Sequence, residues 1–150
     1  MRSQDPPFHG AEQALDEVGA IVAAAAGEAR RAERYAAAVD ALRVHGSPPD
    51  GADVRVTLDH AGGLVDLTVG EQVAARGGGG VTRAVLAANG VARSRLPVVL
   101  GALAREAFGP DSATTAHVVQ HAERMFGVGA TPGTGGIRDR SGDAGPGVLR

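Results

Sequence analysis

The longest regular pattern in the chain runs from Glu12 to Val44, where Leu15, Val18, Val22, Ala25, Ala29, Ala32, Ala36 and Val39 recur alternately three and four residues apart. That period lines them up on one face of a helix, and the stretch contains no proline. Gly19 and Gly27 weaken it, and alanine fills its middle. Two arrangements fit such a stripe: an ordinary amphipathic helix lying on a sheet, or a coiled-coil seam shared with a second copy. The run Gly46-Ser47-Pro48-Pro49-Asp50-Gly51 cannot continue a helix and reads as a loop. Beyond it the period drops to two: Val54, Val56 and Leu58 alternate with Arg55, Thr57 and Asp59, and Val65, Leu67 and Val69 with Asp66 and Thr68. This predicts a β-hairpin over 53–69 with one apolar face. A lone hairpin is marginal in water, so that face needs a helix, a short extra strand near Val44, or a partner's strands.

Helical composition returns from Val81 to Ala107, after Gly77-Gly78-Gly79-Gly80, which reads as a flexible linker. Asn89-Gly90 and Pro97 predict kinks in this helix or a split into two pieces. Phe108-Gly109-Pro110 ends it, and Asp111 or Ser112 can cap a last helix reaching about Phe126. The resulting expectation is an α+β fold: a long N-terminal helix, a small antiparallel sheet, then further helices. Residues 1–11 read as a flexible N-terminus, 12–126 as one helix–sheet–helix domain, and 127–150 as a disordered glycine-rich tail.

Composition narrows the function. Aromatic residues make up only 3% of the chain and much of the hydrophobic 43% is alanine, so a protomer core is thin and a homodimer is a natural way to bury more surface. All 15 basic residues are arginine. Without lysine there is no Schiff-base amine and no P-loop phosphate grip, and without cysteine there is no thiol nucleophile, disulfide or thiolate metal site. The glycine run matches neither a Walker loop nor a dinucleotide fingerprint, and no serine sits in a nucleophile elbow. His117 and His121 share a helix face, but the glutamate that follows the first histidine of a zinc-protease helix is missing, and we expect no metal and no cofactor. Neither a signal peptide nor a membrane span is read from the sequence, and the expectation is a cytoplasmic protein that is not an enzyme.

The distribution of charge says more than its total of −2. Between Gln72 and Ala104 there is no acidic residue, yet Arg76, Arg83, Arg93 and Arg95 lie there, while Arg30, Arg31, Arg34 and Arg43 stand on or just after the first helix. Guanidinium groups suit phosphate oxygens, which makes Arg83, Arg93 and Arg95, with Arg30, Arg31 and Arg34, candidate DNA-phosphate contacts. The competing reading is a solvated face balanced by Glu28, Glu33 and Asp40. Leu15, Val18 and Val22 carry the larger side chains of the seam and are the candidate dimer contacts.

One stretch, Val54-Arg55-Val56-Thr57-Leu58-Asp59-His60-Ala61-Gly62-Gly63-Leu64-Val65-Asp66-Leu67, follows a V-x-V-T-h-[DN]-x-x-G-x-h-x-x-h pattern, with h apolar. Together with the long helix before it and Ala92-Arg93-Ser94-Arg95-Leu96 after it, the chain resembles the YbaB/EbfC family of nucleoid-associated proteins over roughly residues 12–127. The tract from Glu106 to Gly127 is similar to an extension of some actinobacterial members. The resemblance implies an intertwined homodimer that binds double-stranded DNA in the nucleoid with little sequence preference. It transfers no motif residue as a DNA contact; the arginines above are a physical choice. The alternative expectation is a scaffold subunit that keeps the fold and binds another protein instead.

Overall fold

The structure is a computed structural model that describes residues 9–127. The fold is α+β. Helix α1 (His9–Asp40) leads into a three-stranded antiparallel sheet of β1 (Val44–Gly46), β2 (Val54–Leu58) and β3 (Leu64–Val69), in the order β1-β2-β3. A single turn α2 (Glu71–Ala74), the long helix α3 (Gly77–Phe108) and α4 (Ala113–Phe126) follow. The third strand suggested near Val44 is present. The first helix is therefore shorter at its C-terminal end than the pattern implied: Asp40 is its last residue, and the Arg43 guanidinium turns back to donate to the main-chain oxygens of Asp40 and Leu42 at 3.1 and 2.7 Å. At the other end His9, Gly10 and Ala11, expected in a flexible leader, belong to the helix. The expected disordered tail lies beyond the described residues, apart from Gly127.

Period-two alternation sends Val54, Val56 and Leu58 to the same side of β2, where all three are buried against α3. The facing helix answers with a residue every fourth position: Ala84, Ala88, Ala92, Leu96, Leu100 and Ala104 are buried along it. Alanine is what allows the approach. At Gly46, the last residue of β1, an added Cβ would fall 2.5 Å from the Ala92 amide nitrogen and closer still to the Ala88 carbonyl oxygen, so strand and helix meet backbone to backbone. This row also explains why the expected break in α3 is absent. Asn89-Gly90 and Pro97 interrupt the local helix preference, yet α3 runs unsplit through both because the residues on either side are fixed on the sheet and on α4.

The glycine run is a second correction. Gly77 to Gly80 form the first turn of α3 and do not act as a linker. Val73, 1% exposed, anchors the preceding turn α2 in the core, Gly77 takes the positive φ of 76° needed between the two helices, and Gly80 packs on the Arg76 side chain. Gly78 and Gly79 have no such reason to be glycine, for a Cβ on either meets nothing within 4 Å. Gly78→Ala and Gly79→Ala are each expected to stabilise the fold by about 0.5–1 kcal/mol, read as a rise in the urea midpoint with unchanged slope.

The turn joining β2 to β3 is built by Asp59, whose Oδ1 accepts from the amides of Ala61 and Gly63 at 3.0 and 2.7 Å, with Gly62 at φ 80°. A bulge at Thr57/Leu58 leaves Val65 unpaired in the register. The expected apolar face of the hairpin is only half covered. β2 is buried, whereas Leu64, Val65 and Leu67 on the outer strand β3 remain 59, 51 and 41% exposed, because α3 crosses nearer to β1 and β2. At the far end, Ser112 caps α4 by accepting from the amides of Thr114 and Thr115, and the Thr115 hydroxyl reaches the carbonyls of Ala104 and Gly109, pinning α4 to α3.

Candidate nucleic-acid interface

Strand alternation places His45, Arg55 and Thr57 on the face of the sheet turned away from α3, where His45 and Arg55 are exposed and Thr57 is buried. His45 and Thr57 are directly paired across β1 and β2, and His45 Nδ1 shares a hydrogen bond of 2.9 Å with Thr57 Oγ1. That bond holds the ring by one nitrogen and leaves Nε2 for another partner. From α3, Arg95 reaches the β1 edge and donates from Nη1 to the His45 carbonyl at 2.7 Å. A shallow niche of about 360 Å³ results, lined by His45, Gly46, Ser47, Arg55 and Arg95. It holds two guanidinium groups, an imidazole and a hydroxyl, and no carboxylate lines it. Such a donor set suits a phosphate oxygen, and β1 gives it a rigid floor through the close contact of Gly46 with α3.

The other arginines singled out by the sequence do not converge on this niche. Arg31 and Arg34 line a cleft of about 330 Å³ between α1 and the end of α3, beside Glu106. Arg76 shares its surroundings with Asp50, Asp53 and Glu71. Arg93 leaves α3 on the other side of the buried row from Arg95 and lies over the Phe126 ring, 5.4 Å from its centroid, a cation–π contact that joins α3 to the end of α4. Arg83 is exposed on the N-terminal part of α3, and Arg30 on α1. Of the six candidate phosphate contacts, Arg31 and Arg34 share a cleft with Glu106, and Arg95 joins a cluster without a carboxylate, where Arg55, His45 and Ser47, not among the expected contacts, are its companions. Alternation did mark Arg55 as solvent-facing; nothing in the pattern indicated that a residue forty positions on would reach round to it.

The seam residues Leu15, Val18 and Val22 are 71, 57 and 62% exposed, with Ile21 beside them at 68%, and make no contact with the core of their own protomer. A second feature lies between α1, α3 and α4: a largely apolar cleft of about 420 Å³ lined by Tyr35, Val39, Leu100, Val118, Met125 and Phe126 together with His60, His117 and His121. The rings of His117 and His121 lie 6.5 Å apart and nearly parallel, and His60 Nδ1 is buried without a hydrogen-bond partner. Burial raises the Tyr35 phenol above its ordinary range. Among the described residues no group of three histidine, aspartate or glutamate side chains is placed to hold a metal ion, and no helix is long and apolar enough to cross a membrane.

No family model, curated protein or solved structure matches this chain.

Proposed function

We propose that this chain is a non-enzymatic, cytoplasmic, nucleoid-associated protein that binds duplex DNA as a homodimer through phosphate contacts, in the manner of the YbaB/EbfC family its hairpin resembles. The observation that carries the reading is the niche of Arg55, Arg95, His45 and Ser47, where basic and hydroxyl donors meet without a carboxylate. Phosphate contacts position a protein on DNA without reading its sequence. Arg83 and Arg30, exposed outside the niche, would add separate phosphate contacts, and Arg93, Arg31 and Arg34 would contribute more weakly because Arg93 lies over an aromatic ring and the other two line a cleft with Glu106.

The test is binding to two duplexes of equal length and unrelated sequence at low salt. Equal affinities are expected, within about threefold, since one mismatch in a base-reading interface is worth roughly 1–3 kcal/mol and none is read here. Absence of a complex at micromolar protein defeats the proposal. The apolar cleft between α1, α3 and α4 supports a second reading, a scaffold subunit for another protein. Pull-down with and without nuclease separates the two: partners lost with the DNA support the first, and partners that persist support the second.

A further inference from the structure

Helix α1 has 32 residues and is about 48 Å long, but only its C-terminal part touches the rest of the protomer, through Tyr35, which packs on Phe108 with ring centroids 5.2 Å apart, and through Val39, which lines the cleft with α3 and α4. Every residue from Gly10 to Ala26 is exposed, and among them Leu15, Val18, Ile21 and Val22 form a band of large apolar side chains that no described residue covers. A helical segment of this length is marginal in water without a packed face. From the proposed homodimer we infer that α1 pairs antiparallel with the α1 of a second copy, about a two-fold axis between residues 23 and 24.

Two independent features of the helix favour that orientation, and the first of them also sets the register. The first is size. Antiparallel pairing about this point sets Leu15 against Ala32, Val18 against Ala29 and Val22 against Ala25, and all six positions are exposed on the stripe. Each layer then contains one large and one small side chain, which is what packing at even density along two straight helices requires. Parallel pairing would stack Leu15, Val18 and Val22 on their own copies at one end and leave alanine facing alanine in four layers at the other, forcing the helices apart at the bulky end. The second feature is charge. From Gly10 to Ala29 every charged residue of α1 is acidic: Glu12, Asp16, Glu17 and Glu28. Arg30, Arg31 and Arg34 all follow. Asp16, Glu17, Arg30 and Arg31 stand on the side of the helix away from the stripe and make no direct pairs across it, but antiparallel pairing lays the acidic half of one helix along the arginine-bearing half of the other, whereas parallel pairing brings the acidic halves side by side. The register also sets Glu12 beside Glu33 of the second copy, twice by symmetry, and each like-charged exposed pair of this kind costs about 0.5 kcal/mol at most.

At the far end Ala11 comes level with Ala36, so the incoming helix ends next to Val39, which lines the apolar cleft below α4. The stripe of one protomer therefore runs without interruption onto the apolar lining of that cleft.

The chain has no cysteine, so an introduced one is the only thiol present, and a disulfide forms only when the two Cα atoms come within about 7 Å. Leu15→Cys and Ala32→Cys are prepared separately, mixed and oxidised in the full chain, with Val18→Cys and Ala29→Cys as a second pair. Cross-linked product is expected from each mixture and not from any variant alone, because the two copies of residue 15 would stand about 25 Å apart along the axis. A covalent dimer of Leu15→Cys with itself overturns the register in favour of parallel pairing. A native protein that sediments as a dimer yet gives no mixed product places the interface elsewhere and leaves the DNA-binding dimer standing. One that sediments as a monomer at tens of micromolar removes the dimer altogether, and duplex binding then tests what remains of the functional reading.

Discussion

Gly46→Ala is expected to destabilise the protein by about 3 kcal/mol or more and to lower its melting temperature by on the order of 10 °C. The methyl group would have to occupy space already taken by main chain: Ala88 O and Ala92 N on α3 both lie within 2.5 Å of it, and the Ala92 methyl within 2.8 Å. Side chains can rotate away from an intruder, but a helix backbone tied to the sheet above and below this point can only move as a unit. β1 would be lifted off α3, exposing Val44, Val56 and Leu58, which are at most 4% accessible. The control is Gly90→Ala in α3, whose Cβ would meet nothing within 4 Å and which should be neutral or stabilising by up to about 1 kcal/mol. Equal unfolding midpoints for the two variants would show that β1 does not pack on α3 as described. The variant has a functional readout as well. His45 and Ser47 flank the glycine, so a displaced β1 also takes the Arg95 acceptor out of reach and weakens duplex binding beyond what the loss of folded protein explains.

The second large effect is expected from the paired charge reversal Arg55→Glu with Arg95→Glu, which should weaken duplex binding by on the order of 100-fold at low salt. Two hydrogen-bonded contacts from charged groups, at about 1.5 kcal/mol each, account for that factor before repulsion is added. Both side chains are exposed and neither belongs to the core, so the melting temperature should move little. Reversal of Arg31 and Arg34, which already neighbour Glu106, should cost less. If that second pair proves the more damaging, the DNA-binding surface lies along α1 and not at the edge of the sheet.

Much of the architecture was legible because two periods stand out in the sequence. Alternation of two fixed the hairpin and its buried face, and the step of three and four fixed α1. Ser112 and Gly109-Pro110 marked the boundary of α4 by ordinary capping chemistry. What escaped the pattern had a common cause, which is tertiary contact overriding local preference. Gly77 to Gly80 look like a linker until Val73 fixes the preceding turn, and Pro97 looks like a break until Leu96 and Leu100 are seen buried on either side of it. The same cause limits the site. Arg95 could be picked out as a basic residue in an acid-free stretch, but His45, Ser47 and Arg55 join it only because a glycine lets β1 lie directly on α3.

The exposed stripe on α1 illustrates the reverse case, where the sequence carried information that a single protomer does not use. Among the described residues nothing covers Leu15, Val18 and Val22, and the gathering of large side chains at one end of the stripe and alanines at the other gains a use when the helix is set against a reversed copy of itself. Val22→Asp would set a carboxylate against the Ala25 of the second copy, and a charge buried there without a partner costs several kcal/mol, enough to separate the protomers. Sedimentation of this variant should show the monomer at concentrations where the native chain is dimeric.

Phosphate recognition at the niche beside β1 is measured most directly by the salt dependence of duplex binding. Each phosphate contact that displaces a counterion adds about 0.9 to the slope of log affinity against log salt concentration. The native protein should show a steep negative slope, and Arg55→Ala and Arg95→Ala should each flatten it by about one, with no change in preference between unrelated duplexes. A slope that is near zero in the native protein, or that stays the same when both arginines are replaced, would contradict the assignment.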